Sequence, residues 1–283
     1  MSRLLEKTGI DRIAAIGRGI CSVSLLLLII SCGGGGDTDN SSAVQASSPN
    51  GSITTNIALL SSNTRAIYQV SVYLPADYAA TTDNLPVIYA LDGGVDNGDR
   101  FIRMATITEE LGVRAILIGI GGYARREIDY RLPGARNFYA FVTLELIPFI
   151  ESQYRINPGT RTLAGHSYGG FFAVVALLLD RPDRRYFENF ISQDIATSDQ
   201  KAQLSTMEQQ LFTASAGNLP GTTLILSGDS LDEFDVAVDD VYQRFLMRNY
   251  RGLNLQRIPD YALGHQGMFE PSFRDSMRLV FEG

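Results

Sequence analysis

The chain is poor in the residues that carry most metal and redox chemistry. Its 283 residues hold two cysteines, Cys21 and Cys32, and two histidines, His166 and His265. Both cysteines fall within the first 32 residues, so the body of the chain has no disulfide and no thiolate for a metal or a nucleophile. Two histidines are too few for a His-based zinc cluster. The expectation is therefore chemistry without metal, sulfur or cofactor. Positive charge is also scarce: the net charge is −7 and the sequence pI is about 4.9. Setting aside residues 1–31, with Arg3, Lys7, Arg12 and Arg18 against Glu6 and Asp11, leaves 20 basic and 29 acidic side chains. Phosphate binding needs clustered cations, so nucleic acid is excluded as a partner. What the chain does have is 45% hydrophobic residues, enough for one large core, in a length close to the roughly 250 residues common for single α/β domains.

The N-terminus reads as an address. Arg12 and Arg18 precede the apolar run Val23–Ile30, then Ser31, Cys32 and four glycines. A cationic region, a short apolar run and a small residue make a secretory signal. Glycines and polar residues dilute the uncharged stretch 19–36 below the roughly 20 apolar residues of a spanning helix. Ile29-Ile30-Ser31-Cys32 resembles the lipobox of bacterial lipoproteins. That likeness implies a diacylated Cys32 as the mature N-terminus, and Gly33 in place of aspartate favours the outer membrane. The expected organisation is a lipoprotein-type signal peptide at 1–31, a flexible Gly/Ser/Asp/Asn tether at 32–52 and a single domain at 53–283, exported to the bacterial periplasm or cell surface.

That domain alternates strands and helices. Strands are expected at 53–60, 66–74, 85–91, 114–120, 160–165, 222–227 and 253–258, several of them apolar throughout, as in a parallel sheet buried on both faces. Helices are expected at 99–111, 140–154 with a bend at Pro148, 167–179, 238–249 and 271–281. The alternation implies an α/β fold of the α/β-hydrolase type, a mostly parallel central sheet with helices on both faces. Residues 187–221 look polar and irregular, an excursion over the site.

The chemistry centres on Gly165-His-Ser-Tyr-Gly169. By itself G-x-S-x-G recurs by chance, but here an apolar strand leads into it and an apolar helix follows. That context is a nucleophile elbow with Ser167 at a helix N-terminus, where developing negative charge is favoured. A serine hydroxyl needs a base. In this fold the chain order is serine, acid, histidine, and His265 is the one histidine downstream of Ser167; His166 is expected to pack or to support the turn. The acid should follow the strand at 222–227, which leaves Asp232, Asp229 and then Glu233 as candidates. The oxyanion hole calls for the Tyr168 amide and one from the loop after the third strand, Gly94 ahead of Gly93.

Val72-Tyr-Leu-Pro, Pro86-Val-Ile-Tyr-Ala-Leu-Asp-Gly93, Glu145-Leu-Ile-Pro-Phe-Ile150 and Leu163-Ala-Gly-His-Ser-Tyr-Gly-Gly170 together resemble the "putative esterase" family. It includes enterochelin and salmochelin esterases, feruloyl esterases and S-formylglutathione hydrolase. The likeness spans about residues 66–283 and looks closest to the siderophore-esterase branch. It departs at Gln193-Asp194, where a Ser-Pro-Ser type segment is expected. The resemblance implies carboxylic ester hydrolysis through an acyl-enzyme, on a small-molecule ester such as a siderophore trilactone. The alternatives are acyl transfer within the same family, or a surface-tethered binding protein that keeps the fold without turnover. Arg125 and Arg126 follow a strand at its C-terminal end, where open α/β sheets bind ligands. They are expected to grip a substrate carboxylate or phenolate, or else to pair with Glu127 and Asp129.

Overall fold

The computed structural model describes residues 48–94, 97–196, 199–231 and 233–282. The signal peptide, Cys32 and most of the expected tether lie outside the described residues. The strands are β1 (Ser52–Leu60), β2 (Ile67–Leu74), β3 (Leu85–Leu91), β4 (Ile116–Ile120), β5 (Ile156–His166), β6 (Asn189–Gln193), β7 (Asn218–Ser227) and β8 (Arg251–Arg257). They form one sheet in the order β1-β2-β4-β3-β5-β6-β7-β8. β2 is antiparallel to β1 and β4, and the other pairs are parallel.

Successive side chains of a strand point to opposite faces, and β3 shows how this divides the core. Val87, Tyr89 and Leu91 enter one buried cluster, and Ile88 and Ala90 enter the other. The second cluster is closed by α1 (Arg100–Glu110) and α9 (Phe269–Phe281), through Phe101, Met104, Phe273 and Met277. The first is covered by α3 (Ala135–Phe141), α4 (Ile147–Glu151), α5 (Tyr168–Leu179), α6 (Lys201–Ser215) and α7 (Asp235–Arg248). Two four-residue helices, α2 (Arg126–Asp129) and α8 (Gly264–Gly267), belong to the site described below. α5 is buried from Gly169 to Leu178, as a helix that is apolar on all sides must be.

Three details differ from the sequence reading. Residues 187–221 contain β6 and α6 in place of an irregular excursion. Ser192 and Gln193 of β6 are polar yet buried, because Ser192 Oγ donates to the Gly170 carbonyl at 2.8 Å and Gln193 Nε2 to the Phe269 carbonyl at 3.2 Å. Pro148 does not produce a simple bend. A π-helical turn at Val142–Leu146 joins α3 to α4 ahead of it, and so relieves the clash a proline ring makes with the carbonyl four residues earlier. The described residues also include 48–52, which are tied to the domain ahead of the expected start at 53. The Asn50 and Gly51 amides donate to the Glu109 carboxylate at 2.9 and 3.0 Å, and the Tyr73 hydroxyl donates to the same group at 3.0 Å. Among the described residues no helix is long and apolar enough to cross a membrane.

Candidate active site

Ser167 stands between the end of β5 and the start of α5 with φ 62° and ψ −121°. A non-glycine residue in this region stores roughly 1–3 kcal/mol of strain, so the surroundings must hold it in place. They do so through Ser167 N–H to the Gln193 carbonyl at 2.9 Å and Phe171 N–H to the Ser167 carbonyl at 3.0 Å. Two glycines flanking the nucleophile are steric requirements. A Cβ on Gly165 would lie 2.3 Å from the Gly169 main chain, and one on Gly170 would lie 2.6 Å from the Gln193 carbonyl.

His265 is carried on α8, and its Nδ1 lies 2.5 Å from Asp194 Oδ2. Asp194 follows β6 directly, is fully buried, and is held by its own N–H to the Ser227 carbonyl at 2.8 Å. Among the described residues, the carboxylate hydrogen-bonded to His265 is therefore one that the sequence reading did not consider. Asp229 serves the main chain: Oδ1 accepts from Leu231 N–H at 2.9 Å and Oδ2 from Leu263 N–H at 2.8 Å. Burial works against its charge, but these N–H groups, that of Gly264 and the nearby His265 hold its carboxyl below the usual range. Asp229 thus fastens the loop that carries His265. Asp232 lies outside the described residues, and Glu233 is exposed.

Of the expected oxyanion donors, the Gly93 N–H is spent on the Ile120 carbonyl at 3.1 Å, while the Gly94 amide has no acceptor among the described residues. Tyr168 opens α5, where first-turn N–H groups lack intrahelical acceptors. The two arginines part company. Arg125 makes a two-point contact with Asp129, at 2.9 and 3.0 Å, and Asp129 also accepts from the Tyr68 hydroxyl at 2.8 Å. Arg125 is therefore engaged within the fold, the pairing weighed as its other reading. Arg126 reaches the nucleophile turn: Nη2 donates to the His166 carbonyl at 3.3 Å and lies 3.1 Å from the buried Asp92 carboxylate. Its guanidinium faces the Tyr123 and Tyr168 rings at 5.2 and 5.3 Å.

His166, Asp194 and His265 bring one donor atom each within 4.8 Å of one another, a grouping that resembles a metal site. The Nδ1–carboxylate bond of His265 and a contact from His166 Nε2 to the His265 carbonyl at 2.7 Å engage these groups with one another. This arrangement suits proton transfer at a serine.

Comparisons with known proteins find similarity to esterases and hydrolases. A family model described as "Putative esterase" matches residues 61–193, which include the elbow. The chain is 22% identical over 253 residues to the ferri-bacillibactin esterase BesA of Bacillus subtilis (strain 168), covering 75% of this chain and 84% of that protein. An IroE-like serine hydrolase from Shewanella oneidensis is similar in structure, with TM-score 0.66 and 24% identity over 82% of this chain and 80% of that one. The siderophore hydrolase EstB from Aspergillus nidulans superposes with TM-score 0.68 at 17% identity, over 81% of this chain and 95% of the other. Residues 61–193 thus match the putative-esterase model, and over about four fifths of its length the chain shares the α/β fold of these hydrolases.

Proposed function

We propose that the protein hydrolyses a small-molecule carboxylic ester through an acyl-enzyme on Ser167, with His265 as general base and Asp194 as the acid that orients it. The observation that carries this reading is the strained Ser167 turn beside a histidine whose Nδ1 contacts a buried carboxylate. Ser167 Oγ attacks the ester carbonyl and its proton passes to His265 Nε2. The Asp194 carboxylate stabilises the imidazolium, and His265 then protonates the leaving alcohol. The Gly94 and Tyr168 amides receive the oxyanion. Water repeats the sequence to release the acid, so this cycle calls on no cofactor.

Arg126, set between two tyrosine rings near the nucleophile, suits an ester that carries an aromatic or anionic group. The siderophore hydrolases among the similar proteins support a siderophore ester, such as a trilactone, as the substrate. Cys32 is the proposed lipid anchor of an exported domain: fatty-acid labelling should mark the wild type and disappear in Cys32→Ala. The activity is tested by turnover of a short-chain p-nitrophenyl ester by wild type, Ser167→Ala and His265→Ala. Equal rates from all three would reject the reading.

A further inference from the structure

His166 precedes the nucleophile and is 2% exposed, yet the mechanism above gives it no part. Its Nε2 lies 2.7 Å from the main-chain carbonyl of His265, 99 residues away in sequence. A carbonyl oxygen only accepts, so that nitrogen carries the hydrogen and donates. The two imidazole ring centroids stand 4.5 Å apart, and the Phe269 ring meets His166 in a T-shaped contact at 5.7 Å.

We infer that His166 is a positioning residue that ties the main chain of the general base to the strand ending at the nucleophile. This rests on the reading of His265 as base. The base is then held at two points, by Asp194 on its ring and by His166 on its backbone. Neighbouring bonds secure the same short segment: Asp229 accepts from Leu263, and Arg100 Nη2 donates to Gln266 at 3.1 Å. The His166 bond differs from these because it springs from the residue adjoining Ser167. Any movement of the elbow therefore carries the base with it, and the distance between nucleophile and base is preserved.

The charge state of His166 fits this task. Burial, the Arg100 guanidinium from α1, His265 itself and Arg126 from α2 push the imidazole well below its usual value, despite the opposing bond to the His265 carbonyl. A neutral His166 donates its one hydrogen and adds no positive charge beside the imidazolium that forms on His265. Its size and its donor can be separated, because glutamine and methionine have similar bulk but only glutamine carries an N–H.

The test compares His166→Gln and His166→Met in the full chain, with Ser167→Ala and His265→Ala as controls and p-nitrophenyl butyrate as substrate. His166→Met should lose about 100-fold in kcat with KM little changed, since a displacement near 1 Å in a reacting pair costs about that much. Labelling of Ser167 by a fluorophosphonate probe should slow in parallel. His166→Gln should recover to within about tenfold of wild type by the same reasoning, and thermal melts of the two variants should coincide. Equal kcat for His166→Met and wild type, with His265→Ala inactive, would overturn the role of His166 alone. Equal losses in the Gln and Met variants would also overturn it, because bulk rather than the donor would then matter. Full activity in His265→Ala would instead overturn the assignment of the base.

Discussion

Asn substituted for Asp194 probes the least expected member of the site. The change keeps the shape of the side chain and removes its charge. In the native protein a carboxylate oxygen lies 2.5 Å from His265 Nδ1 and the residue is fully buried. During attack His265 becomes an imidazolium, with its charge centred about 4 Å from the carboxylate. At that separation and an effective dielectric near 20, the attraction is about 4 kcal/mol. Each 1.36 kcal/mol is a factor of about ten in rate, so Asp194→Asn should lower kcat by about a thousandfold. KM should change little, because the charge pair forms only as the reaction proceeds. The assay is p-nitrophenyl butyrate hydrolysis by Asp194→Asn, Asp229→Asn and Asp232→Asn side by side. If Asp194→Asn keeps kcat within about threefold of wild type, or if either other variant loses as much, the charge-pairing argument fails.

Three further outcomes follow from the same geometry. Asp229→Asn should destabilise the protein to urea by about 1–2 kcal/mol, since the main-chain donors of Leu231, Leu263 and Gly264 lose a charged acceptor, with a far smaller loss of kcat than in Asp194→Asn. Gly165→Ala places a Cβ 2.3 Å from the Gly169 main chain and should abolish fluorophosphonate labelling of Ser167, at an overpacking cost of about 1–3 kcal/mol measured by denaturation. The Glu109 carboxyl is held below its usual range, first by the Asn50 N–H and also by that of Gly51. Its contribution is then complete above the unfolded value of about 4.3 and is lost as pH falls through the lower folded value. Hydrogen exchange at the Asn50 and Gly51 amides should accelerate over that acid range in wild type and lose this dependence in Glu109→Gln.

The elbow was legible because its requirements are local: two glycines where backbones nearly touch, an apolar strand before and an apolar helix after. His265 was legible by scarcity, as the one histidine downstream. Asp194 was not, because the strand before it hides its character. Asn189-Phe-Ile-Ser-Gln193 has two apolar residues, and its buried Ser192 and Gln193 are matched by partners on α5 and α9. Without that strand the acid is expected one strand on, in the loop after β7, where Asp229 holds the histidine loop. The departure at Gln193-Asp194 from the expected segment was the available signal. Arg126 and Arg125 are adjacent in sequence, so only the fold separates the one at the nucleophile from the one bound to Asp129.

The Glu109 clasp on Asn50 and Gly51 also fixes where the chain enters the domain. β1 starts opposite Leu74, and Tyr73 in turn lies opposite Leu117, near the first residue of β4. Entry is therefore at the N-terminal edge of the parallel strands. Ser167 and Asp194 stand at the opposite edge, separated by about 17 Å for a five-residue strand. Any pull on the chain that precedes Asn50 is taken up by this clasp. The load is then borne on the side remote from the chemistry.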